Sequence, residues 1–171
     1  MIGRKRVIVK SKTIVSIDLD DGSLPPLTAE IEQERRLAIF DLLEENKFAV
    51  SASLKFSKVY EGPLALYITL HGNRLMLSLR DPETSEKIFD FILSINPFRK
   101  IIREYSEICA SYFDAVKRLP PSKIEAIDMA RRGIHNQGAE VLLERLNGKI
   151  DSDHATAKRL FTLICVIQLR E

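Results

Sequence analysis

Between Asp128 and Glu140 the chain carries its densest run of groups able to do chemistry: Asp128, Arg131, Arg132, His135, Asn136 and Glu140, interrupted by Gly133 and Gly138. On a helix, at about 100° per residue, Ile124, Ile127, Ile134, Val141 and Leu142 form a buried stripe, and Asp128, Arg132 and His135 fall together beside it. Arg131 sits on the edge of that stripe. A guanidinium there is half buried and needs an acceptor, either Asp128 three residues back or a carboxylate elsewhere in the fold.

Two accounts of this cluster compete. In the first, Arg131, Arg132, His135 and Asn136 form a candidate anion-binding site for a phosphate or carboxylate, supported by Asp128 and Glu140. Arginine offers a planar fork of donors, and histidine titrates near neutrality and could supply a proton. In the second, Asp128 pairs with the arginines at i,i+3 and i,i+4, and His135 fills the boundary between core and water. Gly133 and Gly138 each cost about 1 kcal/mol inside a helix, so they imply a break, a close helix crossing or a backbone approach to a ligand.

Other candidates are sparser. Arg99, Lys100 and Arg103 form a basic patch at the start of a helix, the unfavourable end for the helix dipole. They would serve an RNA or an acidic partner, or form a solvated face with Arg103 paired to Glu107. Tyr105 and Tyr112 stand at core spacing and read as packing rather than as a base-stacking platform. His71 and His154 have no second ligand at metal spacing, and Cys109 and Cys165 lie far apart among apolar residues, so no metal is assigned and both thiols read as reduced and buried. There is no nucleophile-elbow serine, Walker loop or dinucleotide fingerprint, and no cofactor is expected.

These residues must be positioned by elements, and the sequence changes character midway. Residues 7 to 19 are rich in β-branched side chains, with Val15, Ile17 and Leu19 on one face at period two. After Asp20-Asp21-Gly22 and Pro25-Pro26, Thr28 is placed to cap a helix over residues 28 to 45. The apolar face of that helix, Ile31, Leu37, Phe40 and Leu43, should rest on the sheet before Asn46 stops it. Strands are expected over 48–56, 64–70, 75–79 and 88–95, with short links that imply antiparallel pairing and a hairpin turn at His71-Gly72-Asn73.

From Asn96-Pro97 the period becomes helical. Asn96 is the expected cap, and Phe98, Ile101, Ile102, Tyr105, Cys109, Tyr112, Phe113 and Val116 follow at three- and four-residue steps. Pro120-Pro121 ends that helix, and Ser122-Lys123-Ile124-Glu125 has the form of a capping box. A last helix starts at Asp151 or Asp153 and is apolar all round, as a central helix would be. The expected fold is a single α+β domain over 1–171: a basic N-terminal arm (1–12), an antiparallel sheet of about five strands with one early helix (13–95), and a C-terminal three-helix bundle packed on it (96–171).

Composition limits the function. An apolar fraction of 45% suits a chain that buries a core, and 29% charged residues nearly cancel to +2, so no global field recruits nucleic acid or acidic lipid. The basic start at Arg4, Lys5 and Arg6 leads into Val7-Ile8-Val9, which Lys10 and Lys12 interrupt before a signal-peptide core can form. Leu160 to Leu169 is about half the length of a membrane span. Reduced thiols and the lack of a leader point to the cytoplasm.

The runs Ala38-Ile39-Phe40-Asp41-Leu42-Leu43-Glu44-Glu45-Asn46, Asn96-Pro97-Phe98-Arg99, Ile124 to Met129 with Arg131-Arg132-Gly133 and His135-Asn136, and Arg159 to Cys165 resemble the uncharacterised protein family numbered 0262 (UPF 0262). The resemblance covers nearly the whole chain and implies an alphaproteobacterial protein. It carries over no activity, cofactor or catalytic residue. The basic start, Gly3 to Lys10, is longer than is usual for such proteins.

Because nothing assembles a nucleophile, a base and an orienter, the leading expectation is a non-enzymatic bacterial cytoplasmic interaction or regulatory protein, with a protein partner or as a homodimer. The first alternative is a small enzyme or binding domain for a phosphorylated or carboxylated molecule, acting through Arg131, Arg132, His135 and Asn136. The second is an RNA or ribosome binder using Arg4, Lys5, Arg6, Arg99, Lys100 and Arg103. No membrane partner is expected.

Overall fold

The computed structural model describes residues 13–24, 28–51 and 62–168. The basic arm, the Pro25-Pro26 connection and the part of the second expected strand beyond Ser51 lie outside them. The architecture is α+β. Strands β1 (Ile14–Leu19), β3 (Leu64–His71), β4 (Arg74–Arg80) and β5 (Lys87–Ser94) make a four-stranded mixed sheet in the order β1-β3-β4-β5. Strand β2 (Phe48–Val50) instead pairs antiparallel with β6 (Ile150–Ser152) in a separate two-stranded sheet. Helices α1 (Ala29–Glu44), α2 (Arg99–Arg118), α3 (Pro121–Leu146) and α4 (His154–Ile167) form the helical part.

The expectation of a five-stranded antiparallel sheet is corrected on two counts. First, β1 runs parallel to β3. Short links dictate antiparallel pairing only where they exist, and the long segment between β1 and β3 carries α1, the crossover that parallel strands require. Second, β2 leaves the sheet for β6, a partner too short and polar to be read as a strand. The period-two face of β1 is also corrected: a register shift between Ile14 and Ser16 leaves Ile14 and Ile17 buried and Val15 exposed.

The β3–β4–β5 meander follows expectation. Leu66 faces Leu79, Ile68 faces Leu77 and Leu75 faces Leu93, so one face of the sheet is continuously apolar. The β3–β4 loop has two residues, and Gly72 takes φ 60°, the primed-turn conformation a tight hairpin needs.

The helices differ more from the expectation of a three-helix bundle, because α1 joins them. Its start is as read, with Thr28 Oγ1 accepting from the Ile31 amide at 3.2 Å. Its buried stripe, however, is Ile31, Arg35, Ala38 and Leu42, while Leu37 and Phe40 are 60% and 63% exposed. It lies mainly against α4, with a smaller contact on β1. Small Ala38 lets the two helices approach, and the apolar stem of Arg35 helps fill the stripe, so the largest side chains are rotated outward. Asn46, 1% exposed, then ties the helix end to β1. Its Oδ1 accepts from the Thr13 and Ile14 amides (2.9 and 2.7 Å), and its Nδ2 donates to the Ile14 and Leu42 carbonyls (3.0 and 2.9 Å).

Two expected caps are absent. Asn96 begins a 3-10 turn (Asn96–Phe98) and makes no side-chain cap bond to it. Ser122 lies already inside α3, because Pro121 takes the first helical position and starts the helix before a capping box can form. Asp153 does cap α4, accepting from the Thr156 amide at 2.9 Å. Helix α4 is central as expected, with Leu160, Phe161, Leu163, Ile164 and Ile167 each at 0–1% exposure. Each such side chain contributes about 1.5–3 kcal/mol by leaving water. Sheet and helices share one buried cluster. Among the described residues no helix is long and apolar enough to cross a membrane.

Candidate functional site

The densest polar run does lie on one helix, α3, and the fold divides it. The stripe that α3 buries is Gly138, Ala139, Leu142 and Leu146, while Ile124, Ile127, Ile134 and Val141 are only half buried. Arg131 donates from Nε and Nη2 to Asp128 Oδ1 (3.1 and 2.6 Å), and Arg132 Nε lies 3.0 Å from Asp128 Oδ2. One carboxylate thus holds both guanidinium groups. The Asp128 carboxyl is held below the ordinary range, first by the Arg131 hydrogen bond and then by the two positive charges, with its partial desolvation opposing. The Arg131 guanidinium also lies over the Tyr112 ring, 5.0 Å from its centroid. Asn136 is half buried, with Oδ1 buried and lacking a hydrogen-bond partner among the described residues, and Glu140 is exposed.

His135 points elsewhere, across to α4. Its Nε2 lies 2.9 Å from the Lys158 carbonyl and 2.8 Å from Thr162 Oγ1, and the Thr162 hydroxyl donates to the same carbonyl at 3.0 Å. A carbonyl can only accept, so Nε2 carries the proton and Nδ1 keeps the lone pair. Burial lowers the pKa of the imidazole. The bond to the Lys158 carbonyl opposes this, and the charges of Lys158, Arg131 and His154 reinforce it. The ring is therefore neutral at pH 7, packed with Tyr105 (centroids 5.5 Å apart) and Phe161 (6.0 Å).

Beside His135 is an open hollow of about 260 Å3 between α1, α3 and α4, lined by Ala38, Asp41, Glu44, His135, Arg159 and Thr162. Arg159 Nη1 donates to the Glu45 carbonyl at 2.6 Å, which fixes the guanidinium toward the α1 terminus. Of the residues read as a site, only His135 is here. Asp41, Glu44, Arg159 and Thr162 were missed as site residues. Their signal is faint: acids three apart on α1, and on α4 a polar pair three apart, with Thr162 alone among the apolar residues of its C-terminal half. All six lining residues fall within three of the four runs that carry the family resemblance.

A second hollow, of about 230 Å3, follows along α4 where Cys165 and Val166 form the floor. Glu34 of α1 stands on one side, and Tyr105, Cys109, Ala110 and Phe113 of α2 on the other. The two cysteines, distant in sequence, thus line one space. Both are free thiols, Cys165 buried and Cys109 half buried, and burial raises both pKa values. Burial likewise pushes the Tyr105 hydroxyl up to about 12, so none of these groups is an activated nucleophile.

The basic patch faces a third cavity of about 400 Å3, lined by Gly72, Asn73, Ile95, Arg99, Ile102, Arg103 and Gln168. Arg99 Nη2 donates to Asn73 Oδ1 at 2.5 Å. The i,i+4 ion pair in this patch joins Lys100 to Glu104 at 3.8 Å, whereas the expected partnership was Arg103 with Glu107. Arg4, Lys5 and Arg6 lie outside the described residues. Among the described residues no group of three His, Cys, Asp or Glu side chains is arranged to hold a metal ion.

The comparisons with known proteins agree with the resemblance. The model of an uncharacterised protein family (UPF0262) matches residues 11–170. A UPF0262 protein of Dinoroseobacter shibae is 54% identical over 154 residues, covering 90% of this chain and 96% of its own. One from Cereibacter sphaeroides is 57% identical with the same coverage, and one from Paracoccus denitrificans is 54% identical, covering 88% of this chain and 92% of its own. No solved structure matches. The chain belongs to the uncharacterised family UPF0262.

Proposed function

We propose that this member of UPF0262 is a non-enzymatic interaction protein of the bacterial cytoplasm, and that it meets its partner along the groove formed by the two hollows on α4. The observation that carries the reading is the placement of large apolar side chains at the rim of that groove. Phe113, 62% exposed, lines the α2 wall. Leu37, 60% exposed, lies three residues after Glu34 and four before Asp41, which places it on the α1 flank that lines both hollows. Apolar groups held in water beside a groove are what a protein-binding surface presents.

The chemistry of the groove weighs against the small-molecule reading. The Nε2 proton of His135 and the Thr162 hydroxyl proton are both engaged at the Lys158 carbonyl. Arg131 and Arg132 are engaged with Asp128, and the first hollow carries two carboxylates against one guanidinium. A phosphate or carboxylate would meet repulsion where it needs donors. Each hollow is also smaller than the roughly 300–1,000 Å3 usual for a ligand pocket, a size better suited to single side chains.

The test compares the wild type with the Leu37→Ser/Phe113→Ser double variant, first confirmed to melt at an unchanged temperature. Affinity capture from an alphaproteobacterial lysate and sedimentation velocity are run on both. A protein recovered in stoichiometric yield with the wild type and lost with the variant supports the reading, as does a homodimer that the variant dissociates. Identical recoveries and identical sedimentation overturn it.

A further inference from the structure

We infer that the occupant of the groove is an amphipathic helix of a partner protein carrying an apolar anchor and basic residues on one face; this rests on the interaction reading above. The groove has the walls and floor of a helix-binding site. Helix α4 supplies the floor, as Arg159 and Thr162 in the first hollow and Cys165 and Val166 one to two turns on in the second. Helix α1 is one wall, and α2 and α3 are the other. At 1.5 Å per residue the two hollows are about 6–10 Å apart along α4, the distance between positions i and i+4 to i+7 of a bound helix.

The two ends of the groove ask for different side chains. At the α2 end, Ala110, Phe113, Cys109 and Val166 offer an apolar seat. Along the α1 wall run Glu34 in the second hollow and Asp41 in the first, with Glu44 one turn beyond Asp41. Among the described residues the single cation lining either hollow is Arg159, and it is turned to the Glu45 carbonyl with that residue's carboxylate 4.0 Å away. The groove is thus acidic in a chain whose net charge is +2. A local field opposed to that of the whole molecule selects partners by charge, so Lys or Arg on the partner would face α1 while its apolar residue enters beside Phe113.

The experiment selects binders to the full chain from a display library of helix-forming peptides about fifteen residues long, long enough to span both hollows. The expected consensus has an apolar residue with Lys or Arg four to seven positions away. The best peptide should lose affinity as salt rises, and roughly tenfold or more on Glu34→Lys/Asp41→Lys, while a surface control, Lys123→Glu, leaves it unchanged. An acidic or uncharged consensus, no enrichment, or equal affinity for the charge-reversed variant overturns the proposal. So does a peptide that binds only after residues 1–12 are removed, which would assign the groove to the chain's own basic start. If the selection fails while the Leu37→Ser/Phe113→Ser variant still loses its association, the partner class falls and the interaction reading stands.

Discussion

Gly138 and Gly133 sit five residues apart on one helix and do different work. A Cβ at Gly138 would lie 2.5 and 2.6 Å from Phe161 Cε1 and Cε2, so the missing side chain is what lets α3 close on the most buried ring of α4. At Gly133 nothing lies within 4 Å and the residue is exposed. Gly138→Ala should therefore lower stability by about 1–3 kcal/mol through overpacking. Gly133→Ala should raise it by up to about 1 kcal/mol, since alanine is the better helix former and meets no obstacle. Urea unfolding of both variants measures the two changes, and shifts of equal sign would show that the α3–α4 contact is not the constraint. The sequence already pointed to a close helix crossing as one use of these glycines. It did not reveal which glycine, because the ring that decides lies on α4, more than twenty residues away. Asp128 as the acceptor for Arg131 was legible for the opposite reason, being local.

At the scale of elements, α3 and α4 are joined by an imidazole that must stay neutral. The folded-state pKa of His135 is lowered from 6.5 by burial, so at low pH the unfolded chain takes up its proton first. The stability His135 contributes is full above about pH 6.5 and declines as pH falls from there, by about 1.4 kcal/mol for each unit by which the folded value is depressed. Asp128 and Asp153, held low by their partners, act lower still, near the ordinary carboxylate range. Denaturant melts at pH 7.5, 6 and 5 should show the decline, and His135→Gln should flatten it; an unchanged slope would place the titration elsewhere. Elements with local signals were readable: α1 from the Thr28 cap, α4 from Asp153, and the meander from its alternating leucines and tight turns. The orientation of α1 was not, since its two most conspicuous apolar residues, Leu37 and Phe40, are those it leaves in water. The direction of β1 was not either, because a parallel partner is chosen by the crossover and not by the strand.

For the whole molecule, the division into a sheet half and a helical half is only partly kept. Helix α1 belongs to the first half in sequence and to the helical layer in space, and the groove exists only because it crosses over. Sequence alone places Asp41 and Arg159 in different halves of the protein, so the one polar hollow they share could not be read from either. It follows that α4 is required for the earlier segments to fold: a chain ended at Asn147 lacks both β6 and α4 and leaves Leu42 and Phe48 without their partners. Such a fragment should show no cooperative thermal transition by circular dichroism. A sharp transition would mean that the four-stranded sheet stands alone.

The small β2–β6 sheet has a consequence during synthesis. Val50 stands in register opposite Ile150, and the Lys47 amide donates to Thr156 Oγ1 at 2.8 Å, contacts that close a loop of about a hundred residues. At bacterial elongation rates the strand Phe48–Val50 is synthesised roughly 5–20 s before its partner. During that interval α1 lacks the α4 surface that covers its apolar stripe, so folding is expected to complete late, and the order of translation is expected to set when the chain is most open to aggregation and chaperone capture.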